Sequence, residues 1–435
     1  MTWQIEIHYG QNDRGVRAYI EGILMENIKV LRNGFLIDGN GGDPIPDSTV
    51  VVVDGTIREV IKGEKSLTVP CGHEIDLKGR TLMPGLIDAH VHPGNVEVVM
   101  ERTVAHPPAV YVHKASRILE EDLWLGFTTV RDAGGLDWGF REAVEQGLIR
   151  GPRLLLSVAP LTQTGGHGDK RDKARNEHVP RNSLGIFPAV CDGPDEVRKA
   201  ARDMIRRGAD HIKVMADGGV MSPTGDAGNW QFTVEEIRAA VETAEAAGTY
   251  VMAHVYSPRA IGNCLEAGVR SIEHGNLMDT DTALLMREKG AYLVPTLTVF
   301  DVMPREGRAA GVDETTLNKM RKVSERSYQA LELAYKAGVK IGSGTDLLGP
   351  LQNLKGRELA LKAKVMTPME AIVSATRTNA ELLGMEDRLG VAEPGKLADL
   401  IVIDGNPLDD LSLFEHGRER VVLVMKEGKI VKNIM

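Results

Sequence analysis

Short apolar runs that end in a polar residue recur through the middle of this chain, and stretches typical of helices separate them. One such stretch begins at Thr233, with Glu236 three residues later as in a capping box, and it ends at Gly248. Strands that alternate with helices predict parallel βα units. The middle of the chain is therefore predicted to adopt an α/β fold.

Eight segments have the length and composition of such strands. They are residues 86–92, 127–132, 153–159, 209–215, 250–254, 269–274, 292–296 and 339–345. Eight parallel strands close a (β/α)8 TIM barrel, and about 300 residues suit that fold with insertions. Enzymes of this fold carry their chemistry at the carboxyl ends of the strands, so polar residues between His90 and Asp346 are predicted to surround one mouth.

The two ends of the chain show short alternating runs with turn signals instead of βα units. Neither end has enough strands for a stable domain of its own. We predict one small β-sandwich domain assembled from residues 1–83 and 384–435, with the catalytic barrel, residues 84–383, inserted between them. Residues 1–24 fit neither part and are expected to form an arm or an oligomer contact.

Composition narrows the class of protein. The chain has 435 residues, of which 42% are hydrophobic, so it can bury a large core. Its 52 basic and 61 acidic residues argue against nucleic acid or an anionic membrane as a partner. No apolar run reaches about 18 residues and no secretory signal follows Met1, so we expect neither membrane spanning nor export. The three cysteines cannot form a disulfide framework, which favours a cytoplasmic location.

Two histidines, His90 and His92, end the first predicted strand after the Pro84-Gly85 turn. Side chains alternate between the faces of a strand, so both imidazoles emerge on the same side. Imidazole nitrogen is the commonest protein ligand for zinc and similar ions. The pair alone is a weak signal, but together they could form half of a metal site.

Lys213 is predicted to point into the barrel, because Ile212 and Val214 on either side suit the helix-covered outer face. A buried ammonium is unfavourable unless it is paired or loses its proton. The alternatives are that Lys213 extends to the barrel rim or pairs with Asp210 or Asp217.

Six positions and a closing motif resemble the amidohydrolase superfamily of metal-dependent hydrolases. The six positions are His90, His92, Lys213, His254, His274 and Asp346. The closing motif is Gly390-Val-Ala-Glu-Pro-Gly-Lys-Leu-Ala-Asp-Leu-Ile-Val, and the similarity extends from about residue 27 to the C-terminus. The segments that begin at Thr162, Lys213 and Ala253 resemble the prolidase-like branch. This branch includes dipeptidases, Xaa-Arg and Xaa-Pro carboxypeptidases and ochratoxin-type amidases.

The resemblance implies that these six residues bind two divalent metal ions, with zinc the expected ion and with Lys213 carboxylated as a bridging ligand. Such ions lie roughly 3.5–4 Å apart and activate a water as nucleophile. Asp346 is then the residue that takes the proton from this water and delivers it to the leaving nitrogen. The alternatives are that His254 and His274 are core histidines and that Asp346 only caps a turn.

The resemblance also implies substrate contacts from a histidine and a tyrosine. His167 is expected to contact the scissile carbonyl and the oxyanion, and Tyr256 the substrate carboxylate. The alternatives are that His167 belongs to a mobile loop and that Tyr256 is a core ring. Arg131 and Asp132, at the end of the second strand, are interpreted as structural.

The predicted reaction is hydrolysis of an amide bond in a small carboxylate-bearing substrate, such as a dipeptide or an N-acyl amino acid. The alternative is an imidazolonepropionase-like or other cyclic-amide hydrolase. A mononuclear deaminase is disfavoured by Lys213, and a non-enzymatic relative is disfavoured because every ligand position is retained. We expect the protein to form a homo-oligomer. Its expected binding partner is a small-molecule amide or dipeptide substrate.

Overall fold

The computed structural model describes residues 28–63, 73–171, 187–222 and 226–435. The arm predicted at residues 1–24 lies outside the described residues. The chain forms two compact units. The first contains the described residues up to Leu86 together with residues 123–128 and 368–435, and the second contains residues 87–122 and the described part of 129–367.

Strands are numbered in chain order. They are β1 (Ile28–Leu36), β2 (Ile45–Val53), β3 (Thr56–Ile61), β4 (His73–Asp76), β5 (Thr81–Pro84), β6 (Leu86–Val91), β7 (Phe127–Asp132), β8 (Arg153–Leu156), β9 (Leu161–Thr162), β10 (Ala189–Val190), β11 (Ile212–Met215), β12 (Val251–Val255), β13 (Ser271–His274), β14 (Tyr292–Val294), β15 (Lys340–Ile341), β16 (Leu400–Ile403), β17 (Val421–Lys426) and β18 (Lys429–Asn433).

Helices are numbered in the same way. They are α1 (Met100–Val104), α2 (Pro108–Trp124), α3 (Trp138–Glu145), α4 (Gly193–Arg206), α5 (Val234–Ala246), α6 (Pro258–Ala267), α7 (Thr280–Lys289), α8 (Leu297–Glu306), α9 (Glu314–Ala337), α10 (Arg357–Lys362), α11 (Pro368–Ser374), α12 (Arg377–Leu383) and α13 (Gly417–Arg420). The predicted capping box opens α5, where Thr233 and Glu236 each bond the backbone N–H of the other. Among the described residues, no helix is long and apolar enough to cross a membrane.

The first unit contains one sheet to which both ends of the chain contribute. Its strand order is β18-β17-β16-β5-β1-β2-β3, and β4 pairs with β1. Strand β16 lies antiparallel to β5, with Ile401 opposite Met83. Leu31, Val50 and Leu400 belong to its buried core. Strands β1 to β5 and β16 to β18 all belong to this one sheet. The two-sheet sandwich and the domain bounds at 83 and 384 therefore stay predictions.

The second unit is built from parallel strands, and an observed strand overlaps each of the eight predicted segments. Two runs of neighbours occur, β6-β7-β8 and β10-β9-β11-β12-β13-β14-β15. Two strands are much shorter than their predicted segments: β8 covers Arg153–Leu156 of residues 153–159, and β15 covers Lys340–Ile341 of residues 339–345. The end of β8 has a local cause. Val158 has a left-handed φ of 66°, and Pro160 lacks a backbone N–H, so the ladder breaks before β9.

Backbone hydrogen bonds connect the two runs of strands at both ends. Asp210 N donates to Leu156 O over 2.7 Å, and Ala89 N donates to Ser343 O over 2.8 Å. The buried carboxylate of Asp88 reinforces the second connection, because it accepts from Thr345 N at 3.1 Å and from Thr345 Oγ1 at 2.7 Å. The first and last of the parallel strands are therefore neighbours.

Candidate metal centre

The six predicted ligands meet at the carboxyl ends of five parallel strands. Strand β6 ends at Val91, between His90 and His92. Strand β11 carries Lys213, β12 carries His254, β13 ends at His274, and Asp346 follows β15. All six side chains line one cavity of about 490 Å³. Residues that lie far apart in the sequence thus face a single space, as expected.

Asp346 lies at the centre of this cluster. Its Oδ1 atom is 3.2 Å from His92 Nε2 and 3.4 Å from His90 Nε2. One ligand atom from each of His90, His274 and Asp346 lies within 4.8 Å of the other two. These distances are short enough for a single cation to replace the direct contacts between the carboxylate and the imidazoles.

Hydrogen bonds to groups outside the cluster orient the imidazoles of His90 and His92. His90 Nδ1 lies 2.7 Å from Glu273 Oε2, and His92 Nδ1 lies 2.7 Å from Gly134 O. Because both partners are acceptors, each Nδ1 carries the proton and each Nε2 presents its lone pair to the cavity. This arrangement is typical of histidine ligands to metals.

His254 also fits a metal site. Its Nδ1 lies 2.9 Å from His274 Nε2, and its buried Nε2 has no hydrogen-bond partner among the described residues. Burial is the main cause that holds the pKa of His90, His254 and His274 well below the ordinary value. Neutral imidazoles crowded together with an unpartnered buried nitrogen are a donor set that a divalent ion would satisfy.

Lys213 lines the cavity and is buried, with 1% of its surface exposed. The carboxylates of Asp210 and Asp217, the possible partners of Lys213, are hydrogen-bonded to other groups. Asp210 accepts two hydrogen bonds from Arg141, and Asp217 accepts from the backbone N–H of Ser257. Burial is the largest influence on the Lys213 ammonium and lowers its pKa to about 8. The uncharged amine is therefore far more accessible here than on a surface lysine.

Three residues at the ends of strands adopt the left-handed backbone conformation, although none is glycine. The φ angles are 71° for His274, 48° for Thr296 and 55° for Asp346. Such conformations cost about 1–3 kcal/mol each and persist only where the surroundings impose them. They let His274 and Asp346 turn into the cavity at the points where their strands end, and His274 Nδ1 lies 2.8 Å from Thr296 Oγ1.

His167 and Tyr256 line the same cavity as the six candidate ligands. The His167 ring stacks on His254 with a centroid distance of 4.4 Å, and its Nδ1 lies 2.7 Å from Ser222 Oγ. The Tyr256 ring stacks on His274 at 5.2 Å. Both residues therefore border the candidate ligands, while their substrate contacts stay predictions.

The model of the amidohydrolase family matches residues 81–431. This chain belongs to the amidohydrolase family. An ochratoxinase of Aspergillus niger is 33% identical over 93% of this chain and 87% of its own length.

Two solved structures are also similar to this amidohydrolase. A prolidase complexed with N-methylphosphonate-L-proline has 41% identity and a TM-score of 0.89, covering 94% of this chain and 100% of its own. A Xaa-Pro dipeptidase with bound methionine has 32% identity and a TM-score of 0.83, with the same coverage. The resemblance to the prolidase-like branch is confirmed.

Glu273 is a residue of this amidohydrolase site that the sequence analysis missed. Its carboxylate is fully buried and contacts His90 Nδ1, Arg131 Nη2 at 2.9 Å and Ser271 Oγ at 2.5 Å. Arg131 also donates to Ala89 O. A signal was present in the sequence, because Ser271 and Glu273 alternate along a buried parallel strand and therefore share its inner face.

Gly219 leaves room for the His167 ring of the amidohydrolase. A Cβ atom at this position would lie 2.1 Å from Cε1 and 2.2 Å from Nδ1 of His167. We expect Gly219→Ala to displace the imidazole and to lower kcat/KM for amide hydrolysis by about tenfold to a hundredfold, because small misplacements near the reacting atoms have effects of this size. Steady-state kinetics would measure the loss.

The control for this variant is Gly262→Ala in helix α6, where the added Cβ would meet no atom within 4 Å apart from the adjoining backbone of its own helix. It should keep the wild-type kcat/KM. Wild-type kinetics in the Gly219→Ala protein would show that the position of the His167 ring does not matter for turnover.

Proposed function

We propose that this amidohydrolase hydrolyses the amide bond of a small carboxylate-bearing substrate, such as a dipeptide or an N-acyl amino acid. The observation that carries the proposal is the Asp346 carboxylate within 3.2 Å and 3.4 Å of two imidazole nitrogens, inside a cavity that Lys213 also lines. The similarity to proteins described as a prolidase, a Xaa-Pro dipeptidase and an ochratoxinase supports an amide as substrate.

The proposal includes the architecture predicted above. Eight parallel strands close a (β/α)8 barrel over residues 84–383, and residues 1–83 and 384–435 form the small β-sandwich domain. The hydrogen bonds from Asp210 N to Leu156 O and from Ala89 N to Ser343 O support closure of the barrel. The candidate ligands then occupy its catalytic face.

Six cavity residues would hold two divalent ions, and their imidazole-rich set of donor atoms favours zinc. They are His90, His92, Lys213, His254, His274 and Asp346. Lys213 would act as a carbamate, formed when its neutral amine attacks the carbon of CO2 and releases a proton. When bound, the two ions supply a hydroxide nucleophile at neutral pH and polarise the scissile carbonyl.

Asp346 and His167 perform the proton and hydrogen-bond steps in this proposal. The Asp346 carboxylate accepts the proton of the attacking water and transfers it to the leaving nitrogen. Ser222 Oγ already accepts from Gly219 N at 2.8 Å, so its own proton can be donated to His167 Nδ1. The resulting tautomer carries N–H at Nε2, which can donate to the developing oxyanion.

Substrates with a free carboxylate should be hydrolysed with a much higher kcat/KM than analogues without one. Amidation of that carboxylate is expected to lower kcat/KM on the order of a hundredfold, because a site built to bind a polar group rejects analogues that lack it. Tyr256→Phe should weaken binding of the free acid and barely change the amidated form. The measurement is amine release from dipeptides, N-acyl amino acids and their carboxamides by metal-loaded protein.

Three outcomes of this screen would contradict the proposal. They are equal cleavage of the free and amidated forms, cleavage of neither form, and far faster hydrolysis of a lactone or cyclic imide. The last outcome would instead favour the cyclic-amide alternative.

A further inference from the structure

Among the described residues that line the cavity, the lysines are Lys170, Lys213 and Lys319. Lys213 belongs to the candidate ligand set. The Nζ atom of Lys319 lies 3.0 Å from a carboxylate oxygen of Asp226, so its charge is already balanced. Lys170 is therefore the cavity lysine whose charge a bound anion could balance.

Lys170 belongs to the loop after β9 and lies three residues beyond His167. Its Nζ atom donates to Met221 O at 3.1 Å. The adjacent Asp169 does not act as its counterion, because that carboxylate accepts from Arg171 and from Gly165 N. Its Nζ atom thus donates to a neutral carbonyl, and burial lowers the pKa of Lys170 to about 8 against the opposing charge of Glu101, which lines the same cavity.

Lys170 lines the same cavity as the candidate ligands. Its charge is one of those that lower the pKa of both His167 and His254, after the larger effect of burial. Val98, Val220 and Met221 line the same cavity. An anion bound among such apolar groups interacts with an ammonium more strongly than it would in open water.

We infer that Lys170 binds the carboxylate of the substrate and thereby selects free acids over amides or esters. This inference rests on the proposed function and adds a charged partner to the neutral hydroxyl of Tyr256. A hydroxyl can donate a hydrogen bond to a carboxylate but cannot balance its charge, whereas an ammonium does both. In a productive complex the scissile carbonyl faces His167 and Asp346 while the carboxylate is directed toward Lys170.

The test compares Lys170→Met with Lys170→Arg and with the control Lys319→Met. Each protein is assayed on the free-acid dipeptide that the wild type cleaves fastest and on the carboxamide of that dipeptide. Lys170→Met should lower kcat/KM for the free acid about a hundredfold, mainly through KM, and change the carboxamide less than about threefold. Lys170→Arg should retain most of the discrimination because it keeps the charge.

A second measurement addresses binding without turnover. Inhibition by the amino acid product should weaken in Lys170→Met by a factor similar to the rise in KM, while Lys319→Met should preserve the preference for the free acid. Circular dichroism and metal analysis of each variant would identify a protein that has failed to fold. If Lys170→Met fails, Lys170→Gln, which also removes the charge but keeps a polar side chain, takes its place with the same expected loss.

The outcomes separate this inference from the proposed function. Equal losses on the free acid and its carboxamide in Lys170→Met, or a fall in kcat alone, would overturn the role of Lys170 and leave amide hydrolysis intact. A wild-type protein that cleaves none of the amides would overturn the proposed function itself.

Discussion

Replacing Lys213 with alanine should reduce amide hydrolysis by about a thousandfold or more. A metal ion at a reacting carbonyl stabilises the transition state by several kcal/mol, and each 1.4 kcal/mol corresponds to a factor of ten in rate. Lys213 is a buried residue of the cavity lining, so its loss removes a ligand that no surface group can replace. Elemental analysis of protein purified without chelators should find close to two ions per wild-type chain and fewer in the variant.

The arginine variant is the sharper control for this position. Lys213→Arg keeps a positive charge on a long side chain but cannot form a carbamate, so it should fail as completely as alanine. Acetate added to Lys213→Ala should restore part of the activity, because the anion can occupy the space of the missing carboxylate. An active Lys213→Arg protein, or a fully active wild type with one ion per chain, would contradict the binuclear site.

Replacing Asp346 with asparagine should lower kcat by about a hundredfold to ten-thousandfold, the range typical of a lost general base. The amide oxygen can still contact a cation, but the side chain can no longer accept a proton. We therefore expect metal content near that of the wild type and a modest change in KM. Single-turnover kinetics together with elemental analysis would separate the chemical step from metal binding.

Asp132 provides the matched control for Asp346. It is a buried aspartate of the same unit, and its Oδ2 accepts hydrogen bonds from Gly134 N and Leu136 N. Burial raises its pKa to about 7, so exchange for a neutral amide is a small electrostatic change. Asp132→Asn should have a far smaller effect than Asp346→Asn. Full activity in Asp346→Asn would rule out proton transfer by this carboxylate.

The positions of the candidate ligands could be predicted from the sequence because each follows a short apolar run. In parallel strands such runs end at one edge, and the alternation around Lys213 indicated which way its side chain points. The same argument overestimated the third strand, since periodicity does not report the left-handed φ of Val158. Local backbone geometry of this kind depends on packing that a pattern of residue types does not encode.

The partners of these residues could not be predicted. Glu273 lies 183 positions from His90, and strand alternation gives the face of a side chain but not its contact. Lys170 follows a glycine-rich loop, where no repeating pattern fixes the direction of a side chain. The sequence therefore predicted the groups that would hold the ions better than the groups that orient those ligands or select the substrate.

The contact between Asp88 and Thr345 has a consequence for the synthesis of this chain. The two residues are 257 positions apart, so the ribosome makes most of the parallel strands before the partner of Asp88 exists. Pairing of residues so far apart in the sequence slows folding, because the chain loses conformational entropy on closing the loop before the contact can stabilise it. Asp346 follows Thr345 directly and arrives at the same moment. The nascent enzyme is therefore expected to remain inactive, with an open strand edge, until its last parallel strand has been translated.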